Sequence, residues 1–452
     1  MLEKNQLFTA EITDVTAEGN GVCRVEGTVV FVPDTAKGDT IEGKIVKVLK
    51  NYSFGIVQNI TSPSSDRITP VCSAYKKCGG CIFQHISYEA ECKIKSDMVK
   101  NSFQRIGGLS PEYDEFISAG STQRYRNKAQ YPLAVLDGKA VCGFYAQRSH
   151  RVIPIKDCPL QPEIFSAIIS SSLEFINSKK FSVYDENTHT GILRHIYLRK
   201  GNYSGQIMVC FVVRKDLSRQ LLPLAEMLRR KFSAISSIVM NVNPDKTNVI
   251  LGDNWKVLSG EAQISDTMCG NTIQISPPSF YQINTVQAEK LYAKALEYAA
   301  PEPDDILADL YCGAGTIGLS MAKNVKSVIG IEIVPEAVEN AKENAMKNNI
   351  LNADFYCGDA GRIFSHLRSK GCAPDIIVVD PPRKGCSVDT LDTIIAAAPK
   401  KIVMISCNPA TAARDAKYLS LNGYSPDKVT GVDLFPRTGH VECVVLMSRD
   451  KA

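Results

Sequence analysis

The rhythm of hydrophobic and polar positions changes twice along the chain. Over residues 1–60 apolar and polar positions alternate in short runs, at 7–14, 21–25, 28–32, 40–48 and 55–58. Turn groups such as "AEGNG" and "PDTAKGD" separate them. A period of two marks half-buried strands, and five short strands in this length fit a small closed barrel of the OB type. "TSPSSDRITP", 61–70, reads as a linker. A helical period follows over 88–106, with Ser87 placed to cap it and Gly107-Gly108 to stop it. From 123 to 265 strands predominate, with one clear helix at 162–177, which predicts an α+β domain. From 273 the texture changes again. A helix at 285–299 leads to strands at 306–311, 327–332, 353–357, 375–379 and 401–405, with helical segments between them. One of these, "VPEAVENAKENAMKNN", has Pro335 at a helix start and Ala337, Ala341 and Ala345 on one face. Such alternation predicts a mostly parallel, doubly wound α/β sheet. Two tail strands are expected at 428–434 and 440–447. The expected organisation is a barrel at 1–60, a central domain at 61–270 and an α/β domain at 271–452, with the 88–106 helix packing on the last.

Composition narrows the class. At roughly 100–200 residues per domain, 452 residues suit two or three domains, and 44% hydrophobic residues support packed cores. A net charge of +4 says little about partners. No apolar run approaches the roughly 18 residues of a membrane span, and the start, "MLEKNQLFTAEI", lacks an apolar signal core. A cytoplasmic protein with no membrane partner is expected, as a monomer. The 15 cysteines are many, and odd in number. Without an export signal a disulfide framework does not fit, so clustered cysteines become candidates for metal binding or chemistry.

"LADLYCGAGTIGL" sets Gly313-x-Gly315-x-x-Gly318 between a strand and a helix, and Glu332 ends the next strand. Glycines let the backbone approach a nucleotide, and the carboxylate takes a ribose diol. That pattern suits NAD and S-adenosylmethionine alike. Its neighbours favour a methyl donor. Asp309 lies in the first strand's end, "CGDA" places Asp359 after the third strand beside an adenine, and "VVDPPRKG" places Asp380 after the fourth. Two prolines fix Asp380 in a rigid turn. These strand ends share the edge where such sheets bind ligands.

Cys407, in "ISCNPA", follows the fifth strand on that edge. A thiol beside a methyl donor suggests covalent catalysis. Carbon 5 of a pyrimidine is a poor nucleophile until a thiolate adds to carbon 6. The adduct must then lose its carbon 5 proton to a base and expel the cysteine. "PRTGHVECVV" offers Glu442, on a final strand expected to run antiparallel and so to start at the same edge. His440 suits an orienting or packing role.

"FYQIN", "DLYCGAG", "DPPRKG", "SCNP" and "GHVE", in this order, resemble the RNA (uracil-5-)-methyltransferase family through the whole catalytic half. The resemblance implies a Rossmann-like class I methyltransferase domain using S-adenosylmethionine, with Cys407 as nucleophile and Glu442 as base. Gln282, Tyr311, Glu332 and Asp380 match its cofactor-site positions, and Gln282 or Asp380 also its uracil-reading ones. Gly313, Gly315, Thr316 and Asp359 stand at further cofactor-lining positions.

"PVCSAYKKCGGC" gives Cys72-x5-Cys78-x2-Cys81, and "PIKDCPLQP" offers Cys158 as a fourth ligand. Read alone, this spacing suits zinc or an iron–sulfur centre. The resemblance extends to the family members that act on 23S ribosomal RNA. It implies a structural [4Fe–4S] cluster on Cys72, Cys78, Cys81 and Cys158, in a central iron–sulfur domain, and a TRAM module in the N-terminal barrel. Barrel and cluster together point to 23S ribosomal RNA as the partner. Between the cysteine cluster and the α/β half lies a cationic, aromatic region, with Arg124, Arg126 and Lys128 beside Tyr125 and Tyr131, and Arg148, Arg151 and Lys156 beside Phe144 and Tyr145. Such residues hold phosphates and stack unpaired bases, so a single-stranded or flipped uridine is expected. The alternatives are a transfer-RNA uracil-5-methyltransferase, an RNA-binding assembly factor with an idle methyltransferase half, and an NAD oxidoreductase.

Overall fold

The computed structural model describes residues 2–450. Strands β1 (Leu7–Glu11), β2 (Asp14–Val15), β3 (Asn20–Val25), β4 (Thr28–Pro33), β5 (Thr40–Val48) and β6 (Tyr52–Ser62) form one sheet, ordered β1-β5-β6-β4-β3-β2. Phe8, Cys23, Val30, Val32, Ile41 and Ile45 make its inner face, the spacing a period of two requires. The predicted run 7–14 is split in two, and 55–58 is only the middle of β6.

Helix α1 (Tyr88–Asn101) starts under Ser87, whose hydroxyl accepts the Ala90 N–H at 3.2 Å. Its last predicted turn is π-helical, Ser102–Gly107, and stops at Gly108, which takes a φ of 64°. Strand β7 (Glu112–Ile117) follows, a strand the hydrophobic pattern does not announce. The central sheet holds β8 (Lys128–Leu136), β9 (Lys139–Tyr145), β10 (Val152–Pro154), β11 (Leu193–Lys200), β12 (Ile207–Val213), β13 (Ile235–Val242) and β14 (Asn254–Gly260). Their order is β10-β9-β8-β11-β12-β13-β14. Helix α2 (Glu163–Ser178) is the predicted one; α3 (Ser218–Lys231) is additional, and Pro223 inside it interrupts the helical pattern.

The hairpin β15 (Ile264–Met268) and β16 (Asn271–Ile275) leads to α4 (Thr285–Ala299). Then β17 (Ile306–Leu310), α5 (Thr316–Met321), β18 (Ser327–Glu332), α6 (Pro335–Lys347), β19 (Ala353–Cys357) and α7 (Ala360–Ser369) alternate. The series continues with β20 (Ile376–Val379), α8 (Val388–Ala397), β21 (Lys401–Ser406), α9 (Pro409–Ser420), β22 (Tyr424–Val432) and β23 (Glu442–Arg449). The sheet order is β19-β18-β17-β20-β21-β23-β22-β7. It is parallel from β19 to β21; β23 runs antiparallel to both neighbours, and β7 pairs parallel with β22. Helices α4, α5 and α6 pack on one face, around Val378, Val403 and Val444. Helices α1, α7, α8 and α9 cover the other, around Ile377, Ile402 and Val445. Both faces are therefore buried, which is why these strands read as continuous apolar runs. Among the described residues, no helix is long and apolar enough to cross a membrane.

Candidate active site

The C-terminal ends of β17 to β21 and the start of β23 meet at one edge of the sheet. The loop after β17 turns sharply. Tyr311 takes a φ of 70°, a costly conformation for a bulky residue, and the Tyr311 and Cys312 N–H groups both donate to the Ile331 carbonyl at 2.9 and 3.0 Å. Gly313 and Gly315 take φ of 55° and 80°, and a Cβ on Gly315 would lie 3.0 Å from the Phe355 ring. Behind the loop, Asp309 is fully buried; one oxygen accepts the Gly318 N–H at 2.8 Å and the other has no partner. Glu332 accepts the Gly313 N–H at 3.1 Å on one oxygen and the Val334 N–H at 2.9 Å on the other. Asp359 caps α7, accepting the Arg362 N–H at 3.1 Å.

These groups surround one cavity of about 980 Å³. Gln282, Tyr311, Gly313, Thr316, Glu332, Asp359, Asp380, Cys407 and Glu442 all line it. Gly315 does not; it shapes the turn behind the wall. Arg126, Phe280, Tyr292, Cys312, Arg383, Thr438 and His440 are among the other lining residues. Tyr292 bore no motif: it is a buried residue of α4, with its hydroxyl 3.4 Å from that of Thr316, and its spacing reads as core.

Cys407 and Glu442 are brought together by register. Ser406 pairs with Cys443 across β21 and β23, so Cys407 and Glu442 stand one step beyond that pair. Their environment is acidic and largely buried. Burial, then the nearby Asp380, pushes the Glu442 carboxyl up to about 8, against the opposing pull of Arg383. Burial and Asp309 raise Asp380 to about 7. Burial, Glu442 and Asp380 raise the Cys407 thiol to about 11, and Arg383 again opposes. The Arg383 guanidinium donates to His440 Nδ1 at 2.7 Å. Burial and Arg383 lower His440 to about 4, so its imidazole is neutral at pH 7. A carboxyl poised near neutral pH suits a general base.

The same shifts make a stability prediction. A carboxyl raised from 4.5 to about 8 contributes stability that is complete below its unfolded value and lost as pH rises through the folded one. Glu442→Gln removes that loss. In the ligand-free protein it should leave Tm nearly unchanged at pH 4, below the unfolded value, and raise it at pH 9. Thermal melts at both pH values check this.

A second cavity, of about 210 Å³, is lined by Cys72, Cys78, Cys81 and Cys158 together with Gln84, Arg126 and Tyr145. Burial raises Cys78, Cys81 and Cys158, and the neighbouring thiols add to it. Among the described residues, no group of three or more His, Cys, Asp and Glu side chains is arranged to hold a metal ion. Arg126 lines both cavities, so the cysteines and the catalytic edge share a wall.

The family described as tRNA (uracil-5-)-methyltransferase matches residues 87–450. The chain belongs to this family. A TRAM domain matches residues 2–57, the N-terminal sheet. An "uncharacterized RNA methyltransferase" of Oceanobacillus iheyensis is 42% identical, covering 98% of this chain and 96% of its own. One of Clostridium tetani is also 42% identical, covering 99% and 97%. Among solved structures, the tRNA (uracil-54, C5)-methyltransferase of Pyrococcus abyssi, in complex with S-adenosyl-L-homocysteine, has a TM-score of 0.76 at 27% identity and covers 97% of this chain and 99% of its own. The protein is thus a S-adenosylmethionine-dependent RNA methyltransferase with the class I fold and an N-terminal TRAM domain. From the sequence, barrel and cluster together are the pointer to ribosomal RNA. A match over 97% of the chain spans the N-terminal sheet, and that relative is named for tRNA. The barrel alone therefore does not separate ribosomal from transfer RNA.

Proposed function

We propose that this protein methylates carbon 5 of a uridine in 23S ribosomal RNA, in the cytoplasm, through a covalent adduct on Cys407. The observation that carries the chemistry is the shared cavity of Cys407 and Glu442, which stand one step beyond the Ser406–Cys443 pair on adjacent strands. Glu332, Asp359, Gln282, Tyr311, Thr316 and Asp380, with the turn at Gly313 and Gly315, would hold S-adenosylmethionine, which supplies the methyl group. Cys407 as thiolate adds to carbon 6 of an unstacked uracil, and carbon 5 becomes nucleophilic. After carbon 5 has gained its methyl group, Glu442 takes the carbon 5 proton. The carbon 5–carbon 6 double bond re-forms, the carbon–sulfur bond breaks, and Cys407 leaves as thiolate. Asp380 and Arg383 act on the electrostatics of this step: the first raises both groups and the second lowers both. Glu332→Ala should weaken S-adenosylmethionine binding by about 10–100-fold while leaving RNA affinity unchanged, the scale of a lost hydrogen bond to a charged acceptor. Calorimetry with the donor and with RNA checks both halves.

The cysteine cavity fits an iron–sulfur cluster better than one ion. A single zinc draws its thiolates to about 2.3 Å, whereas a [4Fe–4S] cluster takes four cysteines spread around a larger body. Four thiols around about 210 Å³ support the second. Cys72, Cys78, Cys81 and Cys158 would hold it, as a brace between the central domain and the catalytic edge. Iron and acid-labile sulfide assay of anaerobically purified protein tests it; four of each per chain is expected.

A second substrate reading is favoured by the whole-chain likeness to the Pyrococcus abyssi tRNA enzyme. Methylation of purified 23S ribosomal RNA and of bulk transfer RNA, each lacking the modification, separates the two. Methyl incorporation into the ribosomal RNA alone is expected. Incorporation into transfer RNA alone would favour the second reading.

A further inference from the structure

The segment 433–441 between β22 and β23 ends at Glu442 and carries Thr438 and His440 in the cavity wall. Four distant parts of the chain hold it. Lys95 of α1, fully buried, donates to Asp433 at 2.8 Å and to the Phe435 carbonyl at 3.1 Å. Asn284 and Gln287 donate to the Leu434 and Asp433 carbonyls, both at 3.1 Å. Tyr125 donates to the Pro436 carbonyl at 2.9 Å. The fourth hold is made by Arg437. Its backbone carbonyl accepts the Ile82 and Phe83 N–H groups at 2.9 and 3.2 Å. Its guanidinium donates to the Ile86 and Phe83 carbonyls at 2.9 and 3.3 Å and to Glu91 at 3.4 Å. Its own N–H donates to Glu91 at 2.6 Å.

Residues 82–86 directly follow Cys81. Between them Gln84 binds the cysteine loop from inside: its amide oxygen accepts the Cys72 N–H at 3.1 Å, and its nitrogen donates to Cys81 Sγ at 3.3 Å. Arg437 and Gln84 thus grip the same short stretch from opposite sides. One grips from the base-bearing segment and the other from the cysteines. Arg437 itself sits at a φ of 69°, so its backbone is held against its preference. Gly439 leaves no room for a Cβ against Ala17 of the N-terminal domain and Ile82.

We propose that Arg437 is a positioning residue for the base: it fastens the segment 433–441 to the loop behind Cys81, so that the placement of Glu442 depends on the order of the cysteine loop. This rests on the uracil chemistry proposed above. Proton removal at carbon 5 comes after methyl transfer. A displaced base therefore slows release of the adduct and leaves its formation intact.

The test uses the full-length holoprotein and the RNA substrate. Arg437→Gln should lower kcat by about 10–100-fold, the scale of a small misplacement, with KM for RNA within about threefold. The fraction of enzyme in a detergent-stable RNA adduct should rise at the same time. Arg437→Lys, which keeps one cationic donor, should restore part of kcat. Gln84→Ala, made on the cysteine side, should give the same pattern, and both Arg437→Gln and Gln84→Ala should speed amide hydrogen exchange across 433–441. Should Arg437→Gln fail to fold, Gln84→Ala carries the same readouts. Loss of activity without adduct accumulation, or wild-type kcat and exchange in both variants, overturns the proposal. If the wild type transfers no methyl group to uracil and Glu442→Gln forms no adduct, the functional reading fails instead.

Discussion

Cys407→Ala should reduce methyl transfer to background, a loss of at least about 10⁴-fold, while S-adenosylmethionine binds as before. The side chain lines the cavity at the end of β21, and its removal takes away the atom that must add to carbon 6. Nothing else at the edge replaces it. Cys386 and Cys443 are buried thiols near the edge that do not line the cavity, and Cys312, which lines it at the glycine turn, is buried, with burial, Asp309 and Glu332 holding its thiol far above the usual range. The groups proposed to hold the donor stand on other elements, so their geometry should survive the change. Labelled methyl transfer and calorimetry read the two halves. Retained transfer in Cys407→Ala would contradict covalent catalysis.

Glu442→Gln should slow turnover by about 10²–10⁴-fold, the scale of general-base catalysis, yet still form the methylated adduct. Glutamine preserves the shape and cannot accept the carbon 5 proton. Enzyme and RNA should then co-migrate on a denaturing gel, with label from the methyl group in the shifted band. Free labelled RNA released at the wild-type rate would remove Glu442 from the mechanism. Raising pH should speed the wild type between pH 6 and 8, because the free enzyme's base is raised to about 8 and must be ionised to act. The variant should lose the part of that rise that belongs to the base and keep the part set by the Cys407 thiol, which is raised to about 11.

Most of the site was legible because its residues sit at strand ends with local signatures. The glycine turn, Glu332, Asp359, Asp380 and Cys407 each follow an apolar run, and a parallel sheet gathers such ends at one edge. Glu442 needed one more step, the antiparallel direction of the last strand, and β23 has it. What the pattern hid was burial of charge. Helix α1 reads "YEAECKIKSDMVKN", with a polar face fit for solvent, yet Glu91 and Lys95 are fully buried and satisfied by Asp433 and by the segment 433–441. Only tertiary pairing makes that tolerable. Strand β7, "EYDEFI", is an edge strand with charged outer positions, so alternation is weak there. Tyr292 reaches the cavity from a helix position, and Arg437 holds the base-bearing segment from a loop position, and the spacing of neither carries a catalytic signature.

The central claim is that Cys407 and Glu442 act on opposite ends of one covalent event. Nuclease and protease digestion of the Glu442→Gln complex, followed by mass spectrometry, tests it most directly. The account predicts a Cys407 peptide carrying a uridylate heavier by one methyl group. An unmodified Cys407 peptide beside fully methylated free RNA would contradict it.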